Sequence, residues 1–257
     1  MKLYVMDGGV GCTPREIVIS TGAPIDPTDM VDIPTMMILI DHPDGKILYD
    51  TGWSQAERDN FPFTIKEEEN VLNRLRALGV EPDDIKTVII SHLHVDHAGY
   101  LEFFPNAEVI VSEPEFNEVM KLYNAGELGT PYNKLDADEW MRIGMNWKLI
   151  GDEGSVVPVA DGVSVLSLGI GHAFGMLALL VELEKEGNVL ITSDAIYCQE
   201  NVGPPVKLPG GILDADGYIK SFNRIMEVAE EYDAKLWFGH DMEQFATLKK
   251  STEGFYE

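Results

Sequence analysis

Six consecutive residues, His92-Leu93-His94-Val95-Asp96-His97, constrain this chain more than any other stretch of it. They follow the apolar run TVII at 87–90, which reads as a buried strand. Packing alone gives no reason to crowd three imidazoles and a carboxylate behind such a strand. In extended backbone His92 and His94 project to the same side, with Asp96 and His97 just beyond them. Imidazole nitrogen and carboxylate oxygen are metal donors that suit zinc, and also iron, manganese or cobalt. Thiolate is missing from the run, which disfavours a structural zinc site of the cysteine type.

A rigid sheet can bring ligands from remote segments together at its strand ends. His172 in GIGHAFG, His240 in WFGHD and Asp194 at the end of NVLITSD all stand behind strand-like runs. Three histidines would satisfy one ion, and the remaining candidates would then be surplus. The full set of His92, His94, Asp96, His97, His172, Asp194 and His240 suits two divalent ions. A carboxylate has two oxygens, so Asp194 could bridge ions about 3.5 to 4 Å apart. Metal coordination lowers the pKa of bound water from about 15.7 to about 7, which makes hydrolysis the natural chemistry. Asp96 is placed to protonate the departing oxygen. His42, within the turn signal HPDGK, reads as an exposed turn residue outside this set.

The rest of the chain supplies a frame. Strand-like runs occur at 2–6, 35–40, 46–50, 87–90, 108–111, 147–150, 163–168, 176–183 and 188–193. Helices are expected over 67–78, from Glu113 behind Ser112, and over about 216–232, the last with Ile219, Phe222, Ile225, Met226 and Ala229 on one face. The segment 124–146 is poor in strand signals and reads as a helical or loop insertion beside the site. Strands dominate and helices come singly, which predicts two mixed sheets packed face to face with helices outside. With 257 residues, no repeat and no low-complexity linker, a single domain over 1–257 is expected.

Composition removes some partners. There are 19 basic and 44 acidic residues, and a net charge of -25 repels phosphate backbones and anionic lipid, so neither nucleic acid nor a membrane is expected. Neither a signal peptide nor a spanning run of about 18 to 20 apolar residues is indicated. Only Cys12 and Cys198 are present, which fits a reducing cytoplasm, and Cys198 reads as a buried, inert thiol.

HLHVDH, with Asp50-Thr51-Gly52 upstream, resembles the metallo-β-lactamase superfamily. In that family an H-x-H-x-D-H loop is followed by a distant histidine, an acidic residue at a strand end and a last histidine. His172, Asp194 and His240 occupy those places in the same order, although the family's usual Thr-Pro-Gly-His run is Gly169-Ile170-Gly171-His172 here. The likeness spans about residues 2–240 and implies an αββα sandwich with the metals at one rim. It also implies that His92, His94 and His172 hold the first metal, that Asp96, His97 and His240 hold the second, and that Asp194 bridges. Asp50 would orient the site through hydrogen bonds.

Tyr197, three residues after Asp194, and the opening DIPTMMILIDHPDGKILYDTGW at 32–53 are similar to the N-acyl homoserine lactonases. That resemblance implies a bridging hydroxide that opens a lactone ring while Tyr197 donates a hydrogen bond near the substrate carbonyl. Phe61, Phe63 and segment 124–146 are candidates for an acyl pocket, and a homodimer is compatible with the same residues. The rival hydroxyacylglutathione-type thioesterase needs a basic cluster toward the C-terminus, where Lys249 and Lys250 form the only adjacent basic pair. A phosphodiesterase is disfavoured by charge, and a di-iron oxidoreductase by the lack of length for a flavin domain. A binding protein without catalysis has no physical need for seven ligands.

Overall fold

The computed structural model describes residues 1–54 and 65–257; Phe61 and Phe63 lie outside the described residues. Two mixed sheets pack face to face. The first holds β1 (Lys2–Pro14), β2 (Met30–Asp41), β3 (Lys46–Tyr49), β4 (Ile85–Ile89), β5 (Glu108–Ser112) and β6 (Asn146–Ile150), in that spatial order. Its first two pairings are antiparallel and the other three parallel. The second sheet runs in reverse order from β11 (Lys235–Trp237) through β10 (Gly187–Ile191), β9 (Met176–Leu183) and β8 (Val163–Leu168) to β7 (Val156–Ala160). Helices α1 (Arg15–Val18), α2 (Val71–Ala77), α3 (Glu113–Ala125), α4 (Lys134–Ile143), α5 (Gln199–Val202), α6 (Ala215–Glu231) and α7 (Met242–Thr247) join them, with short 3-10 turns at Glu67–Glu69, Pro82–Asp84, Leu101–Phe103 and Ser193–Ala195.

Side-chain alternation explains the layers. In β9, Leu177, Leu179, Val181 and Leu183 face the first sheet, while Met176, Ala178 and Leu180 face α6. Both faces are covered, so the run MLALLVEL is apolar almost throughout. Leu3, Val5, Ile38, Ile40, Ile89 and Ile110 meet β9 from across the sandwich. The opposite face of that first sheet packs Met37, Leu39, Leu48 and Val109 against α2, α3 and α4. Each fully buried aliphatic side chain contributes about 1.5 to 3 kcal/mol, so both sheets are held firmly where they carry loops. The expected αββα sandwich is therefore present.

Details differ from the expectations for identifiable reasons. The expected helix over 67–78 is broken at Asn70, which is extended and accepts a hydrogen bond from the Asn73 N–H at 2.9 Å, so it caps a shorter α2. In α6, Tyr218 takes the buried place expected for Ile219, which is 42% exposed. His42 is buried: Asp44 N–H donates to its Nδ1 at 3.1 Å and its Nε2 donates to the Asp161 carbonyl at 3.0 Å. Strand β1 runs well past residue 6, through an irregularity between Asp7 and Val10. Segment 124–146 contains α4, capped by Asn133. No helix among the described residues is long and apolar enough to cross a membrane.

The 3-10 turn Leu101–Phe103 carries Glu102, one of whose carboxyl oxygens is buried without a hydrogen-bond partner among the described residues. Burial pushes this carboxyl up to about 7, and the charge of Glu139 adds to the effect. Between the ordinary value of 4.5 and about 7 the folded protein keeps a proton that the unfolded chain releases. Stability from this group is therefore present at low pH and is lost as pH rises through that window. Glu102→Gln should raise the melting temperature at about pH 8 and change it little at about pH 5. Equal shifts at both pH values would contradict this account.

Candidate metal centre

Parallel strands deliver the first group of ligands. Strand β4 lies between β3 and β5, and its end leads through Ser91 into the loop of His92 to His97. The Asp50-Thr51-Gly52 turn is zipped against that loop: Thr51 N–H donates to the His97 carbonyl at 2.7 Å, and Gly99 N–H to the Gly52 carbonyl at 2.9 Å. A Cβ at Gly99 would lie 1.8 Å from the Ser54 nitrogen, so only glycine permits this approach. Asp50 turns out of β3 at φ +58° and accepts from Ser91 N–H at 2.7 Å, Ser91 Oγ at 2.9 Å and His97 Nδ1 at 2.8 Å.

The second sheet supplies the rest. His172 lies in the β8–β9 connection, Asp194 in the turn after β10, and His240 after β11, which runs parallel to β10. A Cβ on Gly239 would come within 2.6 Å of Ser193, so the last two loops are pressed together. All seven predicted ligands converge. His172 Nε2 lies 3.2 Å from His92 Nε2, 3.0 Å from His94 Nδ1 and 3.3 Å from Asp194 Oδ2. Asp194 Oδ1 lies 3.2 Å from His97 Nε2 and 3.1 Å from His240 Nε2. Asp96 Oδ2 is 3.4 Å from His97 Nε2 and 3.7 Å from His240 Nε2. Three groups could each hold a metal ion: His92, His94 and His172; His92, His97 and Asp194; Asp96, His97 and His240.

The donor set fits cations. Three rings turn their other nitrogen outward: His97 Nδ1 donates to Asp50, His172 Nδ1 to the Gly211 carbonyl at 2.6 Å, and His240 Nδ1 to the Pro34 carbonyl at 2.9 Å. With that hydrogen on Nδ1, each ring in its neutral form turns an Nε2 lone pair to the cluster. His97 Nε2 is buried and has no hydrogen-bond partner among the described residues. Burial first, and then neighbouring histidines, holds His92 and His94 well below the usual imidazole range, so both are neutral donors. For His97 and His240 burial pulls the same way, but the nearby carboxylates outweigh it and raise both. The field of Asp50, Asp96 and Asp194 favours positive charge at that end.

His94, Asp96, His172, Asp194 and His240 of this cluster form the floor of a cavity of about 460 Å³. Its walls include Ile17, Ile33, Trp53, Pro131, Ile212 and Leu213, so the entrance is mainly apolar. Tyr197 lines it with a phenol held well above its usual range by burial and then by Asp194 and Asp96, so the hydroxyl keeps its hydrogen. The oxygen lies 3.0 Å from His172 Nδ1, whose own hydrogen points to Gly211, so Tyr197 cannot donate there. Segment 124–146 reaches the wall through Thr130, Pro131 and Tyr132. Cys198 is half-buried with a raised thiol, first through burial, and it takes no place in the cluster.

Sequence reasoning missed Ser91 and Gly211, which bond to Asp50 and His172, and Glu115, whose carboxylate accepts from Leu93 N–H and Phe174 N–H at 2.9 Å each. Ser91 could have been found from its place before the first histidine. The other two act across long separations and carry no local signal.

The model of the metallo-beta-lactamase superfamily matches residues 31–236. The N-acyl homoserine lactonase AiiB of Agrobacterium fabrum is 38% identical, with 100% of this chain and 99% of that protein covered. An N-acyl homoserine lactonase of a Bacillus species is 34% identical over 95% of this chain and 94% of its own. A solved quorum-quenching N-acyl homoserine lactone lactonase superposes with a TM-score of 0.83 at 31% identity, covering 100% of this chain and 98% of its own. A solved N-acyl homoserine lactone hydrolase, with the product N-hexanoyl-L-homoserine bound at its catalytic metal centre, gives the same TM-score at 30% identity and the same coverage. This chain belongs to the metallo-beta-lactamase superfamily, and the relatives it matches end to end are N-acyl homoserine lactonases.

Proposed function

We propose that this chain, acting as one catalytic unit, opens the ring of N-acyl homoserine lactones by adding water across the ester bond. The observation that carries the reading is the convergence of seven histidine and aspartate side chains, five of which, His94, Asp96, His172, Asp194 and His240, line one apolar-walled cavity. His92, His94 and His172 would hold one divalent ion, Asp96, His97 and His240 a second, and Asp194 would reach both. The nitrogen and oxygen donors point to zinc first. Bound there, the pair lowers the pKa of a water and polarises the ester carbonyl. Two cysteines that are both free thiols accord with a reducing cytoplasm.

The chain's own groups supply the remaining steps. Tyr197, which lines the cavity with its hydroxyl protonated, turns that O–H to the carbonyl oxygen as negative charge develops there. Asp96 also lines the cavity. Its carboxylate takes a proton from the attacking water and delivers it to the ring oxygen as the acyl–oxygen bond breaks. The product is an open N-acyl homoserine, whose new carboxyl releases one proton at neutral pH. The apolar wall excludes water from the acyl chain, and the amide and ring lie toward the polar floor.

Purified, metal-loaded protein given a medium-chain N-acyl homoserine lactone should release acid, and chelator treatment should abolish the release. No release from a sample holding two ions would move the activity to another ester or a thioester. Asp194→Ala should leave fewer than two ions per chain by elemental analysis, and retention of both would reject bridging. Tyr197→Phe should lower kcat between several-fold and about 10²-fold with metal content retained. Unchanged turnover would remove Tyr197 from the reaction.

A further inference from the structure

We propose that Glu115 is a positioning residue that clips together the two loops carrying His92, His94 and His172, and so sets the geometry of the first metal subsite. This rests on the ligand assignment proposed above. Glu115 stands in the first turn of α3 and is fully buried. Its Oε1 accepts from Leu93 N–H at 2.9 Å, and Leu93 lies between His92 and His94. Its Oε2 accepts from Phe174 N–H at 2.9 Å, two residues beyond His172, and a bond from Gly175 N–H joins it. One carboxylate therefore ties together ligand loops that lie 80 residues apart in sequence.

Two neighbours complete the clip. Tyr132 donates its hydroxyl to Oε2 at 3.4 Å, sets its ring edge-on to His94 at 4.8 Å, and lies nearly parallel to Phe174 at 6.1 Å. A Cβ on Gly175 would sit 2.2 Å from Ser112 Oγ, so the His172 loop is pressed onto the start of α3. An apolar residue of similar size would fill the space but leave the N–H groups of both loops unpaired. Only an acceptor with two oxygens serves both loops at once. Burial pushes the carboxyl up to about 7 against the pull of those donors, which marks how far solvent is excluded. Among the described residues Glu115 hydrogen-bonds to no predicted ligand side chain, and its effect runs through the backbone between them.

Glu115→Gln separates the roles, because an amide can accept from one loop while its NH₂ faces the donor of the other. The zinc-loaded parent is first shown to hold two ions. A parent with fewer overturns the dinuclear reading itself, before any variant is compared. In competition with a chromophoric chelator, Glu115→Gln should then hold one ion about 10- to 100-fold more weakly and the other as the parent does. The visible absorption bands of the cobalt-loaded protein should shift as well. A lower melting temperature with both affinities and the cobalt spectrum unchanged would overturn the proposal and leave Glu115 a part of the fold alone. If Glu115→Gln does not fold, Tyr132→Phe takes its place. Several-fold weaker binding of one ion supports the clip, and parental affinity at both sites overturns it.

Discussion

Lone pairs brought to about 3 Å of one another repel, and the rest of this molecule is arranged around holding several of them there. His172 Nε2 faces His92 and His94 nitrogens at 3.2 and 3.0 Å, while its other nitrogen is committed to Gly211. Neutral imidazoles so disposed attract a cation and little else. On the other side Asp194 stands among His97 and His240, where carboxylate charge raises both rings. The two halves share Asp194, so a change at either is felt at both. A mononuclear site would leave the Asp96, His97 and His240 group without a physical purpose.

Holding such a cluster requires a stiff frame. Asp50 and Ser193 adopt φ of +58° and +47°, a region that costs non-glycine residues about 1 to 3 kcal/mol each. Both stand directly behind strands of the sandwich core and both approach the ligand loops. Burial of the leucines and isoleucines between the sheets, at about 1.5 to 3 kcal/mol apiece, outweighs that strain many times over. Asp50 then acts on three donors at once, orienting His97 through Nδ1 and fixing Ser91 just ahead of His92. Strain and metal geometry are thus one arrangement seen from two sides.

How much of this could be read beforehand follows from the range of each interaction. The candidate ligands are legible because strand ends are local: an apolar run followed by crowded histidines is a short-range pattern. The sandwich was visible for the same reason, since β8 and β9 match their apolar runs end to end. Strand β1 was underestimated because DGGVGCTP reads as turn, yet pairing with β2 carries it to Pro14. Strand β7 contains Pro158 at the sheet's edge, where a missing N–H is tolerated and the strand signal is weakened. His42 looked like a solvated turn because nothing nearby in sequence announces Asp161, 119 residues away. Glu115 was hidden in the same way, its partners being backbone groups of loops that only the fold brings to it.

The division between floor and wall has a functional consequence. The floor is built from strand ends and locked rings, and in the proposed reaction its groups meet the ester carbonyl and its departing oxygen. The wall comes from the far ends of β1 and β2, from α1, Trp53, residues 130–132 and residues 210–213, which lie outside the apolar layer between the two sheets. An apolar wall discriminates by about 1 to 3 kcal/mol per methylene and rejects a slightly different chain only weakly. A locked floor beneath a wall of this kind suits a fixed reaction on acyl chains of varied length. Under the proposed function, chain preference falls to Ile17, Ile33, Ile212 and Leu213 on the wall, while the bond that breaks is set by the residues proposed to hold the metals.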